Sequence, residues 1–283
     1  MRHLLDPSSN LAQQVRSLLV HEYTRALQAI TATPTEAVHD LRRCGKRSRA
    51  WLRLFRPGLS KELYGDENHA WRDLGRMLSP LHDQAAISSC LAHLGRRYAD
   101  LIPQETLVQI STHLPQPALS EAQLAGIRAD VHRRQRRLDH QSLTIEWRDL
   151  VSGHEKCHRA WIVAGSQFLS RPTTETRHTW RKRSKDLAYQ LRVLAHLWPT
   201  MLQPLAATLT TLGDHLGDER DAALTCQWLR SHSHLDGSVE ILRHARNWRR
   251  HLRHQCETLS TSLMRKSAGD SHSTVALSSL YLP

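Results

Sequence analysis

The chain has 283 residues, a formal net charge of +12 and 40% hydrophobic residues. That much apolar content excludes a disordered chain and is enough to bury a core. The longest strongly apolar run, near Ala160–Ala164, falls far short of the ~20 residues a membrane span needs, and the stretch from Met1 to Pro7 has no apolar signal core, so export is not expected.

In chain order, helical periodicity predicts helices over 9–31, 34–56, 61–79, 83–99, 119–140, 145–169, 174–197, 201–213, 218–231 and 237–264. Breaks fall at Pro34, Pro57-Gly58, Pro80, Pro103, Pro115 to Pro117, Pro172, Pro199 and Gly237. No β alternation competes with this pattern, so the fold class is all-α, with a helical-bundle architecture. The segment from Pro103 to Leu119 is the weakest of the first half, and the Ser-rich tail from Lys266 is expected to be mobile. Five cysteines (Cys44, Cys90, Cys157, Cys226, Cys256) form no C-x-x-C pair and read as reduced thiols of a cytoplasmic protein.

Two helix openings resemble each other. Thr33-Pro34-Thr35-Glu36 places a capping threonine before proline, and Pro172-Thr173-Thr174-Glu175 opens a later helix similarly. After the first comes His39-Asp40-Leu41-Arg42-Arg43-Cys44-Gly45-Lys46-Arg47-Ser48-Arg49. After the second comes His178-Thr179-Trp180-Arg181-Lys182-Arg183-Ser184-Lys185. Both read H-x-x-R-[RK]-x-x-K, and the histidines stand 139 residues apart, about half the chain. A repeat at that spacing predicts a duplicated unit with a pseudo-two-fold arrangement.

At ~100° per residue, His39, Arg42, Lys46, Arg49 and Arg53 fall in one arc. Leu41, Cys44, Trp51, Leu52 and Phe55 lie opposite. In the second copy His178, Arg181, Lys182, Lys185, Tyr189 and Arg192 share a face, backed by Trp180, Leu187, Leu191 and Leu194. Cations stacked at i, i+3 and i+4 repel by a few tenths of a kcal/mol per pair. A polyanion lying along the stripe relieves that repulsion, and repeated anionic groups match a helical ladder. Nucleic acid, an anionic membrane surface and polyphosphate all qualify by charge. Arg243, Arg246, Arg250 and Arg253 form a further stripe. Arg72 and Arg76 are one turn apart, and Arg128, Arg133, Arg134, Arg136 and Arg137 form a dense basic run.

These residues resemble the CHAD family, the conserved histidine α-helical domain. The likeness rests on Val38-His39-Asp40-Leu41-Arg42 through Arg49 with Leu54-Phe55-Arg56, and on His178-x-x-Arg181-Lys182-Arg183-x-Lys185 with Tyr189. Leu216-Gly217-Asp218-Glu219-Arg220-Asp221 is similar to the family's L-G-x-x-x-D. His82-Asp83 stands where the family usually has Arg-Asp. The resemblance implies two related four-helix-bundle halves around a basic groove or pore. It also implies binding of inorganic polyphosphate and association with polyphosphate granules. Carried over by position, the ligand-facing residues are His39, Arg42, Lys46, Arg47, Arg49, His178, Arg181, Lys182, Lys185 and Tyr189. The stripes add Arg53 and Arg192, and Arg43, Arg72, Arg76, Arg246 and Arg250 complete the candidate set. One domain is expected over 1–265, its halves at about 9–140 and 145–262, followed by the tail 266–283.

Enzyme-like motifs also occur. His154-Glu155-Lys156-Cys157-His158 matches H-E-x-x-H but lacks a third ligand at a workable spacing. Gly45-Lys46 lies inside a helix and is no P-loop. Asp218, Glu219 and Asp221 read as a helix N-terminus favoured by the dipole rather than as a Mg²⁺ site. The expectation is therefore a non-catalytic polyphosphate-binding protein, with no metal or cofactor. A nucleic-acid-binding protein is the alternative, with nucleic acid otherwise a non-specific competitor. An enzyme on phosphate esters or anhydrides is a third reading. Base stacking would want exposed aromatics beside the stripe, and only Tyr189 qualifies.

Overall fold

The computed structural model describes residues 4–31, 34–115 and 118–269. Its helices are α1 (Leu11–Ala29), α2 (Pro34–Phe55), α3 (Lys61–Met77), α4 (Ser79–Arg97), α5 (Gln104–Thr112), α6 (Glu121–Asp139), α7 (Trp147–Ser170), α8 (Thr174–Leu194), α9 (Pro199–Ser231) and α10 (Ser238–Gly269). One 3-10 turn, Arg56–Gly58, joins α2 to α3. No strand occurs among the described residues, and no helix among them is long and apolar enough to cross a membrane.

The helix starts follow local chemistry. Asn10, Ser60, Ser120 and Thr173 each accept a hydrogen bond from the backbone N–H three residues on, satisfying a donor the helix leaves free. Pro34 begins α2, whereas the expected cap Thr33 lies outside the described residues. α10 carries the chain helically to Gly269, past the expected start of the tail, and 270–283 lie outside the described residues.

Two expectations are corrected. The weak segment after Pro103 holds a helix, α5, whose Leu107 and Ile110 are buried beside Leu91 and Leu94 of α4. The expected pair 201–213 and 218–231 is one 33-residue helix, α9. Gly213 and Gly217 do not end it, because Lys185 and Arg181 of α8 lie over them. Asp218, Glu219 and Asp221 are therefore mid-helix, not at an N-terminus.

The repeat is visible in the packing. α1 packs on α2 and α6, and α2 on α3. In the second half α7 packs on α8 and α10, and α8 on α9. The halves meet where α2 crosses α8 and α4 crosses α9. At the first crossing Trp51 Nε1 donates to the carbonyl of Tyr189 at 3.2 Å, and Gln190 Nε2 donates to the carbonyl of Ala50 at 2.9 Å. With the 139-residue offset, Ala50 corresponds to Tyr189 and Trp51 to Gln190. The two bonds exchange under a two-fold rotation, so the pseudo-axis passes between them.

The core does not divide at the chain midpoint. One apolar cluster draws on α1, α2, α3, α6, α7 and α8 with the start of α9 and the end of α10. The other joins α4 and α5 to the second half of α9 and the first half of α10. The tryptophans on the backs of the stripes, Trp51 and Trp180, are buried in the first cluster with Trp161 of α7.

Candidate anion-binding site

α2 and α8 present their basic faces on either side of the pseudo-axis, and α9 lies across α8. Five cations converge there: Arg42 and Lys46 of α2, Arg181 and Lys185 of α8, and Arg220 of α9. Arg181, Arg42, Lys185 and Arg220 are the neighbours that most affect Lys46 after its own burial, and together they push its ammonium down to about 7. Partial burial also lowers Arg42 and Arg181, against the pull of nearby aspartates. Charges are crowded here at a cost that a random surface face would not carry.

The crowd is positioned by small residues. Arg42 Nη1 donates to the carbonyl of Gly75 at 2.7 Å. Arg181 lies over Gly217, where an added Cβ would sit 3.1 Å from its Nε and Nη2. Lys185 lies over Gly213 and reaches Asp214 at 2.6 Å. The Nε–H groups of Arg42 and Arg181 are buried without a hydrogen-bond partner among the described residues. These arginines are repeat equivalents, so each half contributes the same unpaired donor.

Around the crossing of α4 and α9 the polar groups are shared between halves. Arg220 Nη2 donates to Asp83 Oδ1 at 2.8 Å and Nη1 to Asp221 at 3.2 Å. His82 Nδ1 stands 3.5 Å from Asp83. Burial alone would raise Asp83, but His82 and Arg220 outweigh it and hold the carboxyl at about 2. Leu74-Gly75-x-x-Leu78-x-x-x-His82-Asp83 and Leu212-Gly213-x-x-Leu216-x-x-x-Arg220-Asp221 are the same pattern in the two halves. Arg220 was absent from the sequence-based set, and this second repeat is the signal that finds it.

The other candidates separate into groups. His39 and His178 are exposed beside the cluster. Burial and then Arg43 lower His39, and burial with Arg181 and Arg220 lowers His178, so both favour the neutral form more than a free histidine. Arg49, Arg53 and Lys182 gather around the buried Asp186, with Arg53 paired to it at 3.2 Å. Arg49 donates to Asn68 at 3.1 Å. Arg43, Tyr189 and Arg192 occupy the symmetry-related flank. Arg192 donates to Thr210 and lies 5.9 Å from the ring of half-buried Tyr189.

Several of the candidate residues are engaged elsewhere or stand apart from the five-cation cluster. Arg47 is buried and turned to α1, where Glu22 accepts from its Nε and Nη2 at 2.6–2.9 Å. It stands off the arc of the stripe by helical angle, and only the resemblance placed it toward a ligand. Arg53 is likewise occupied by Asp186, because that carboxylate is buried directly beneath the stripe. On α3, half-buried Arg72 and exposed Arg76 share Asp73. Arg246 and Arg250 are exposed on α10, apart from the five-cation cluster, and Arg250 reaches Asn247. Their helix instead sends Arg249 and Arg253 inward to the buried Glu219, both at 2.9 Å. His154 is buried and stacks with His158, which packs on Trp161.

The family model for the CHAD domain matches residues 10–230. The chain belongs to the CHAD family. No curated protein matches it. The CHAD match covers α1 through nearly all of α9 and includes both copies of the histidine–arginine–lysine pattern. α10 follows the matched region and packs on α9 and α7, so it completes the same folded body.

Proposed function

We propose that this CHAD domain binds inorganic polyphosphate and carries out no chemical step on it. The observation that carries the reading is the five-cation cluster on the pseudo-axis, with the equivalent Arg42 and Arg181 Nε–H donors buried and unpaired. Unpaired buried donors are costly. Phosphoryl oxygens satisfy them with charge-assisted bonds, and the same anion offsets the repulsion that lowers Lys46. A linear phosphate chain has no direction, so it reads the same to two halves related by a two-fold axis. A single nucleic-acid strand does not. The large rings near the stripes, Trp51, Trp161 and Trp180, are buried and offer no platform for bases.

Carboxylates beside the cluster are engaged with cations: Asp83 and Asp221 with Arg220, Asp214 with Lys185. They serve as counter-ions in this reading, not as general bases. Association with polyphosphate granules would follow from binding alone.

A competition titration tests the reading. Labelled long-chain polyphosphate is held at fixed salt, and unlabelled long-chain polyphosphate, single-stranded DNA, duplex DNA, tripolyphosphate and ATP are added at matched phosphate concentration. Selective displacement by long polyphosphate is the expected result. Equal displacement by DNA per phosphate would replace this reading with a general polyanion surface.

A further inference from the structure

The site is two-fold in sequence but not in charge. Lys46 and Lys185 are repeat equivalents, yet their surroundings differ. Lys185 is laid along α9, where a Cβ on Gly213 would sit 2.7–2.8 Å from its Cε, Cδ and Cγ. Its Nζ is tied to Asp214 at 2.6 Å. The equivalent of Gly213 is Gly75, where an added Cβ would meet nothing within 4 Å, so Lys46 is not pressed against α3 in that way. The equivalent of Asp214 is Arg76, a cation. The charged neighbours that most affect Lys46 are all cations. Asp218 and Asp221 continue the acidic side of α9 one and two turns beyond Asp214, and Asp218 feels both of them. The α3 side of the cluster is thus open to an anion, and the α9 side carries its own.

We propose that Asp214 is a specificity-determining residue that sets how many phosphates the site grips. It acts as an internal counter-ion, keeping Lys185 from a phosphate and confining the chain to Arg42, Lys46 and Arg181. This rests on the polyphosphate reading and adds a limit to it. A phosphate chain that reaches Lys185 must first displace a carboxylate held at 2.6 Å. Removing that carboxylate frees one more cation without adding any new side chain.

The test is an anisotropy titration of labelled long-chain polyphosphate over a salt series. Log affinity falls with log salt in proportion to the phosphates neutralised, by about 0.9 per contact on duplex DNA. Asp214→Asn is expected to bind about 3- to 10-fold tighter, with a salt slope steeper by about one contact. Lys185→Gln in the Asp214→Asn background is expected to erase that gain, whereas Arg148→Gln in the same background, an equal loss of charge at an exposed position of α7 outside the cluster, is expected to keep it. Unchanged or weaker binding by Asp214→Asn, or a gain that survives Lys185→Gln, overturns the proposal. Failure of the unaltered protein to bind polyphosphate would instead overturn the ligand reading on which it rests.

Discussion

Arg220 on α9 donates to Asp83 on α4 at 2.8 Å across 137 residues of sequence. This bond ties the two halves at the second crossing of the pseudo-axis and holds Arg220 among the cations of α2 and α8. His82, the repeat equivalent of Arg220, stands 3.5 Å from the same carboxylate oxygen, Asp83 Oδ1. The pair therefore links the architecture of the repeat to the charge of the site.

Arg220→Ala should loosen this crossing and release Asp83. The Asp83 carboxyl is held at about 2, below its unfolded value, so it stabilises the fold above the ordinary carboxylate range. That contribution fades as pH falls toward 2. Both partners are about one-third exposed, which limits the pair to about 1 kcal/mol or less. Denaturant midpoints at pH 7 and pH 2 check this: the variant should lose stability at pH 7 and little at pH 2.

Lys46 and Lys185 should not be equal under substitution. Lys46→Gln removes a cation with no carboxylate of its own and is expected to weaken polyphosphate binding by about 10- to 100-fold, the range of a charge-assisted hydrogen bond. Lys185→Gln removes one already tied to Asp214 and should cost less. Reversal of both to Glu should abolish binding. Equal losses for the two glutamines, read by titration, would contradict the asymmetry.

Binding should take up protons above neutrality. Burial and four surrounding cations push Lys46 down to about 7, and a bound polyanion would raise it. Between pH 7 and 9 the free lysine is largely neutral, so affinity should fall as pH rises across that window. Calorimetry in buffers of different ionisation heat should register the uptake, and Lys46→Arg should flatten the profile. The same shift acts on folding with its own sign. A lysine lowered on folding releases its proton in the native state first, so stability rises with pH from about 7 toward the unfolded value near 10.4.

Glu22→Ala should destabilise the protein without touching the site. It leaves the Arg47 guanidinium buried and unpaired, a loss of about 3–5 kcal/mol. Combining it with Arg47→Met removes the stranded charge and should recover much of that loss. Chemical denaturation of the single and double variants gives the answer. The double variant retains polyphosphate binding if Arg47 is structural, as its pairing indicates.

Gly153→Ala should be among the most damaging single changes in α7. An added Cβ would stand 1.8 Å from the carbonyl oxygen of Leu54, where α7 packs on the end of α2. Backbone meets backbone there, so no side chain can yield, and the helices must separate. A loss of at least 1–3 kcal/mol is expected from such overpacking, measured as a lower unfolding midpoint.

The amino-acid sequence by itself determined the helical class, most helix positions and the duplication. Those follow from apolar periodicity, prolines and a repeated H-x-x-R-[RK]-x-x-K, all of which are local. It also determined that Arg42, Lys46, Arg181 and Lys185 belong on basic faces, because one helical turn fixes which side chains share a face. Only the tertiary structure decided which of those charges remain available. Arg47 and Arg53 sit on the same helix as Lys46, yet Glu22 and Asp186 engage them from α1 and α8. Arg220 joins the cluster from 174 residues beyond Lys46, and α9 runs unbroken through two glycines because side chains of α8 lie over them. A cation's partner is set by what stands within about 4 Å in space, and neighbouring residues along the chain carry no record of that.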